Sequence, residues 1–458
     1  MQSPRTQTPF GVRTDRKPPQ AATRCHPLPH TTRAPHASPV RRGFHILIAA
    51  QFCSALADNA LLIVCIALLL QRGLPGWWAP MLKFSFTLAY VVLAPFVGAL
   101  ADAVQKGRLM MAMNGLKAVG LVGLLLGLNP LLALTVVGVG AAAYAPAKYG
   151  LVTELLPPER LVSANAWIEV STVCAVVFGT ALGGFLISPW LAPLLAAHSA
   201  LAATSVALWL LLGLYALAAV LNTGIPDSGA RYARQGRRPA QQVRDFWRAQ
   251  CRLWSDAQGR LSMAVTTLFW GAAAVLQFAV LHWAAEVLHL PLSQGAYLQA
   301  TVALGIVAGA TLAGRWVALA NAARVLPLGV LLGVAVPLAA QANSVWLALP
   351  ALVLVGALGG ALVVPLNALL QHRGHLLLSA GRSIAVQNFN ENASVLVMLA
   401  VYAALLSLGL PVRSLMVGLG LFVGLFMALL MAARWWHQRL QRLQSGQCLQ
   451  PPAWTRTP

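Results

Sequence analysis

Twelve apolar segments of about 20 residues follow one another along the chain, at roughly 44–70, 79–101, 108–127, 131–150, 162–187, 195–222, 262–287, 295–318, 322–341, 345–370, 383–409 and 411–435. A helix rises about 1.5 Å per residue, so each is long enough to cross a hydrocarbon layer roughly 30 Å thick. In lipid, a backbone must satisfy its own hydrogen bonds, which leaves helices for segments of this kind. Composition agrees: 58% of the 458 residues are apolar, 9% are charged and the mean hydropathy is +0.70, against about 45–50% and 25% in soluble proteins. The expected fold class is an all-α polytopic membrane protein of twelve transmembrane helices in two six-helix pseudo-repeats.

The spans divide six and six around a polar stretch, 223–261, that carries Arg231, Arg234, Arg237, Arg238, Arg244, Arg248, Arg252 and Arg260. The expected domains are a basic cytoplasmic tail (1–43), an amino-terminal bundle (44–222), a basic cytoplasmic linker (223–261), a carboxy-terminal bundle (262–435) and a cytoplasmic tail (436–458). The first 43 residues are rich in Pro, Thr, His and Arg without an apolar run of seven, so the tail is no signal peptide and is expected to be disordered. Of the 32 Lys and Arg residues, only Arg72, Lys83 and Arg413 fall on the outer side and Lys117 inside a span. The bias places both termini and the linker in the cytoplasm.

The formal charge of +21 belongs to these tails and connections, where membrane lipid is the expected neighbour and nucleic acid is not. Cys25, Cys53, Cys65, Cys174, Cys251 and Cys448 form no CxxC pair, so free thiols are expected and no metal site.

Asp58 stands midway along the first span, with Asn59 beside it. An acid there costs about 2.5–3.5 kcal/mol to insert and should face a protein interior or a watery cavity. Asn114, Lys117, Lys148, Glu169 and Glu391 are further intramembrane polar positions, the last inside Gln387-Asn388-Phe389-Asn390-Glu391-Asn392. The competing readings are snorkelling for Lys148, a structural pair for Lys117 and Glu169, and helix-to-helix hydrogen bonds for 387–392. Pro146-Ala147-Lys148 has a counterpart in Pro365-Leu366-Asn367, and Asn165 with Glu169 in Asn388 with Glu391. Gly138-Val139-Gly140 mimics a dinucleotide fingerprint but lies inside a span with no strand before it, and reads as close helix packing. GxxxxGK[ST], GxSxG and HxxxxD are all missing, so neither an ATP-driven pump nor an acyltransferase is expected, no catalytic residue is assigned and no cofactor is called for. Secondary transport remains.

Two six-helix halves on a long inner linker resemble the major facilitator superfamily. The loop Gly98-Ala99-Leu100-Ala101-Asp102-Ala103-Val104-Gln105-Lys106-Gly107-Arg108 resembles that superfamily's inner-loop signature, with Lys106 and Arg108 two residues late; Asp102, Lys106 and Arg108 are the candidate gating residues. In that fold, spans 1, 4, 7 and 10 line the central cavity. This places Asp58, Lys148, Gln277 and Asn367 around one pore, with Glu391 at its flank.

The blocks 50–62, 93–115, 137–154, 163–172, 267–271, 359–371 and 385–394 are similar to those of the LplT family of bacterial lysophospholipid transporters. The most discriminating are Gly138 to Gly150 and Val363 to Gln371. The resemblance implies a transporter flipping lysophospholipids, chiefly lysophosphatidylethanolamine, from the outer to the inner leaflet of the bacterial inner membrane. A separate acyltransferase/acyl-carrier-protein synthetase would re-acylate them. It implies Asp58 for the ammonium, Lys148 and Asn114 for phosphate or glycerol oxygens, and Asn59, Lys117, Glu169, Gln277, Asn367, Asn388 and Glu391 as further substrate-binding candidates. Gln277 stands where the family's best-known member has a basic residue. A proton-coupled drug or metabolite exporter of the same superfamily is the alternative. An Asp58–Lys148 pair, opened by a zwitterionic head, is the expected gate.

Overall fold

The computed structural model describes residues 37–71, 73, 78–188, 203–232, 238–290 and 292–444. It is a set of long helices: α1 (Ala37–Gln71), α2 (Trp78–Val92), α3 (Ala94–Ala103), α4 (Lys106–Leu125), α5 (Pro130–Leu155), α6 (Leu161–Leu186) and α7 (Ala203–Thr223) before the linker, α8 (Pro239–Ser255) within it, and α9 (Ala257–Glu286), α10 (Leu292–Trp316), α11 (Leu326–Ala340), α12 (Val345–Leu377), α13 (Ala380–Ser407) and α14 (Val412–Gln444) after it. Among the described residues, 11 helices are long and apolar enough to cross a membrane, and α2 with α3 makes a twelfth. The expected tail residues 1–36 and 445–458, and the first part of the sixth span, lie outside the described residues.

The second span is not one helix. It bends by 63° at Leu93, because Pro95 at the start of α3 has no N–H and its ring collides with the carbonyl a turn earlier. The outer helices also run past the expected limits: α1 starts at Ala37 and α14 continues to Gln444.

Close packing is bought with glycine. Gly305 and Gly309 of α10 face Gly356 and Gly360 of α12, and a Cβ at any of them would strike a carbonyl oxygen of the other helix, on Val353, Ala357, Val302 and Ile306 respectively. The two spacings are GxxxG, which lets backbones meet in van der Waals contact. Gly138 meets the backbone of Phe86 in the same way, so the Gly138–Gly140 motif is a packing device.

One apolar core lies in the second six helices, around Leu268, Val275, Trp283, Leu352 and Met416. Another lies in the first six, around Leu61, Val64, Leu121, Leu134 and Leu211. A third joins the two sets at the end nearest the linker, where Leu47, Leu109, Leu151 and Leu161 meet Ala310, Val363, Val364 and Ala368. That end is called the linker face below.

The linker is more than a basic tether. Phe246, Ala249 and Leu253 form the buried stripe of α8, at helical spacing. They pack on Ala94 of α3 and on Met263, Leu370 and Val386 of α9, α12 and α13. Gln250 and Asn390 exchange amide hydrogen bonds of 2.8 and 2.9 Å. Asp256 then caps α9 through the Gly259 N–H at 2.8 Å and pairs with Arg373 at 2.5 Å.

Candidate functional site

A cavity of about 250 Å³ lies among α1, α2, α4, α5 and α6. Gln51, Ser54, Ala55, Asp58, Asn59 and Leu62 supply one wall from α1, at the i, i+3/4, i+7/8 and i+11 positions of a single face. Leu134, Ala141, Tyr144 and Lys148 supply the facing wall from α5, while Lys83 and Tyr90 enter from α2. The cavity thus gathers one carboxylate and three ammonium groups in a largely apolar setting.

Asp58 is paired, but not with Lys148. Lys117 Nζ reaches its Oδ2 at 2.7 Å and its Oδ1 at 3.0 Å, and the Tyr215 hydroxyl donates to Oδ1 at 2.7 Å. Lys117 also donates to Ser54 Oγ at 3.0 Å, and Ser54 donates to Asn114 Oδ1 at 2.7 Å. The rings of Tyr144 and Tyr215 lie 5.5 and 5.7 Å from the ammonium, within cation–π range. Lys117 gets there because Gly140 of α5 has no side chain: a Cβ would lie 2.8 Å from Lys117 Cγ. Asn59 lines the cavity and ties its amide to the Ala55 carbonyl at 2.8 Å.

Lys148 lines the same cavity with its ammonium 4.1 Å from the Tyr149 ring centre. It makes no ion pair within 4.0 Å among the described residues, so the expected Asp58–Lys148 contact is absent. A depth count would have found the true partner. Lys117 is about 16 Å along α4 from the linker face and Asp58 about 24 Å along α1 from Arg42, while Lys148 is only about 10 Å in from the end of α5.

The other candidates are placed differently. Asn114 is fully buried behind Ser54 and supports the cavity without lining it. Glu169 is buried on α6 and is not among the residues that line the cavity. Of the residues expected around one pore, Asp58 and Lys148 of spans 1 and 4 line this cavity, and Gln277 and Asn367 of spans 7 and 10 do not. Gln277 is exposed and outside the cavity, with only its carbonyl engaged, by Gln299. The reason is the register of α9, whose buried face of Leu268, Val275, Ala279 and Trp283 turns into the second bundle's core. Asn367 and Glu391 are buried and share one donor, Gln387 Nε2, at 3.0 and 2.8 Å. Asn388 is buried with its amide nitrogen unpartnered. None of these three is among the residues that line the cavity.

The gating candidates divide. Asp102 crosses between the bundles: it accepts from the Gly381 N–H at 2.8 Å, at the start of α13, and from the Ser379 hydroxyl. A carboxylate at a helix N-terminus meets its positive end. Nearby, Asn165 and Gln371 exchange two amide hydrogen bonds of 2.9 Å, so the linker face is closed. Lys106 stays within its own bundle, pairing with Glu154 at 2.5 Å, and Ser228 and Tyr232 donate to the same carboxylate. Arg108 lines a second cavity of about 340 Å³ at that face, with Asp102, Lys106, Asp227 and Arg231. There the Arg231 guanidinium holds the Asp227 carboxyl below its usual range. Sequence reading missed Lys83, Tyr215 and Glu154 as members of these clusters.

Residues 47–389 match the Major Facilitator Superfamily, whose class is that of multi-pass membrane transporters, and the helix count agrees. The chain is 43% identical over 378 residues to the lysophospholipid transporter LplT of Yersinia enterocolitica, covering 81% of this chain and 89% of that protein. It is 42% identical over 401 residues to the protein of the same name from Citrobacter koseri, covering 87% and 96%. The chain belongs to the LplT family of the Major Facilitator Superfamily. In fold it is similar to the human organic anion transporter MFSD10, with a TM-score of 0.68 at 16% identity over 85% of this chain and 99% of that one. It is also similar to a bacterial homologue of ferroportin in an outward-facing state, with a TM-score of 0.63 at 15% identity over 85% and 98%.

Proposed function

We propose that the protein flips lysophospholipids, chiefly lysophosphatidylethanolamine, from the outer to the inner leaflet of the bacterial inner membrane, with both termini and the linker cytoplasmic. The observation that carries this reading is the pairing of opposite charges in one cavity of about 250 Å³. Pockets that enclose a whole drug-sized ligand run to about 300–1,000 Å³, so this one suits a polar head with its acyl chain left outside, against lipid.

A zwitterionic head fits its chemistry in both directions. The ammonium competes with Lys117 for Asp58, and the phosphate is met by Lys148 and Lys83, which pair with no carboxylate within 4.0 Å among the described residues. Exchange of the internal ion pair for two ligand pairs avoids leaving a buried charge alone. It is also the differential interaction that a ligand needs in order to shift a two-state equilibrium. The names of the relatives support the substrate class, and the Lys/Arg bias supports the orientation. On the cytoplasmic side the product would pass to a separate acyltransferase/acyl-carrier-protein synthetase, since this chain carries no acyltransferase sequence pattern.

Uptake of labelled lysophosphatidylethanolamine into spheroplasts tests the reading, with efflux of a cationic dye as the comparison. Uptake that depends on the protein and is lost in Asp58→Asn is the expected result. Dye efflux without lipid uptake would instead assign an exporter.

A further inference from the structure

Helix α8 buries one face and leaves the rest to an environment that its residues describe. Its inner stripe seals the seam between α3 and α13. Phe246 and Trp247 both stack edge-on against Phe389 of α13, at 5.3 and 5.7 Å. Beside that stripe, Trp247 is 50% exposed and Val243 36%. Beyond them Arg244, Arg248 and Arg252 form an i, i+4, i+8 ladder, all exposed, rising about 6 Å per step.

Arg244 and Arg252 make no ion pair among the described residues, and Arg248 reaches only Asp245, at 3.3 Å, while remaining 69% exposed. Arg373 pairs with Asp256 at the end of α8, and Arg382 with Asp245 on it. The patch is strongly cationic and edged by tryptophan. A second aromatic pair, Trp435 and Trp436, is 58% and 57% exposed near the end of α14, with Arg439 stacked 5.2 Å from the Trp435 ring. Half-exposed tryptophan beside arginine at the ends of apolar spans is the composition of a membrane–water boundary.

We propose that the arginine ladder of α8 is a binding surface for the head groups of anionic phospholipid, held as a resident lipid and not transported. The site is separate from the Asp58 cavity. It requires the linker face to lie at the membrane surface but not that lysophospholipid be the cargo. Charge complementarity selects the occupant: each Arg near a surface favours anionic lipid, and Trp247 is placed to enter the head-group layer alongside. Because α8 bridges α3 and α13, a lipid held there also braces the seam between the two bundles.

The test uses the full chain, delipidated in detergent and then offered phosphatidylglycerol or phosphatidylcholine, with retained lipid counted by mass spectrometry. Phosphatidylglycerol should be retained selectively, and retention should fall as sodium chloride is raised. The triple variant Arg244→Gln, Arg248→Gln, Arg252→Gln should bind it on the order of 100-fold more weakly, and the corresponding triple Lys variant should keep most of the binding. Equal retention of the two lipids by the wild-type chain, or salt-independent retention, would overturn the proposal even if the Gln variant fails to fold. So would a folded Gln variant that binds like wild type.

Discussion

Lys117 Nζ donates to both oxygens of Asp58, at 2.7 and 3.0 Å, and so joins α4 to α1 at the middle of the membrane-spanning bundle. The two ends of this pair are not equally placed: the Lys117 side chain is 2% exposed, and that of Asp58 is 16% exposed at the cavity wall. The pair is therefore a closed, neutral unit whose acidic half is reachable from the cavity.

Breaking the pair from the acidic side strands a fully buried ammonium, at a cost of about 3–5 kcal/mol. Asp58→Asn is expected to lower the melting temperature more than Lys117→Met, because the orphaned carboxylate can still be hydrated. The double variant should recover most of the lost stability while remaining inactive in lipid uptake. Thermal unfolding in detergent, read as a double-mutant cycle, checks this; additive losses would mean that the two residues do not act as a pair.

Lys148 lines the cavity and has no carboxylate within 4.0 Å among the described residues. Its replacement by Met should therefore leave the melting temperature unchanged and reduce lysophospholipid uptake about tenfold or more, the worth of one charge-assisted hydrogen bond. An equal loss for lysophosphatidylethanolamine and for a substrate lacking phosphate would count against a phosphate contact.

Asp102 closes the linker face through Ser379 and the Gly381 N–H. Asp102→Ala should favour the conformation open at that face by roughly 2 kcal/mol, within the range for hydrogen bonds to a charged group. A cysteine introduced at Ala385, which packs against Gly98, should then react severalfold faster with a soluble thiol reagent. Unchanged reactivity would show that the amide pair of Asn165 and Gln371 holds the face alone.

The orientation can be read from Ala240, exposed on α8. A cysteine there should resist a membrane-impermeant reagent added to intact cells and react in inverted vesicles. Labelling from outside would reverse the topology.

The fold was legible because hydropathy and arginine placement act over whole spans, and neither depends on how a helix is rotated about its axis. The site depends on that rotation. Asp58 was conspicuous as an acid among apolar residues, but its partner was decided by depth and by the missing side chain of Gly140, and a motif search weighs neither. Gln277 and Asn367 occupy spans expected to share a pore with Asp58, yet neither lines the Asp58 cavity: Gln277 lies on the exposed side of α9, and Asn367 is tied to Gln387. In the linker, eight arginines masked the Phe246, Ala249, Leu253 stripe, whose helical spacing was visible in the sequence all along.

The glycine ladder between α10 and α12 has a mechanical consequence. Where backbones touch, no side chain is left to switch rotamer, so the joint has no alternative packing to move into. These two helices should behave as a single beam, exchanging their amide hydrogens more slowly than any neighbour and turning together when the transporter rocks. Compliance must then reside in the seams that side chains fill, which puts the hinge work on α3, α8 and α13.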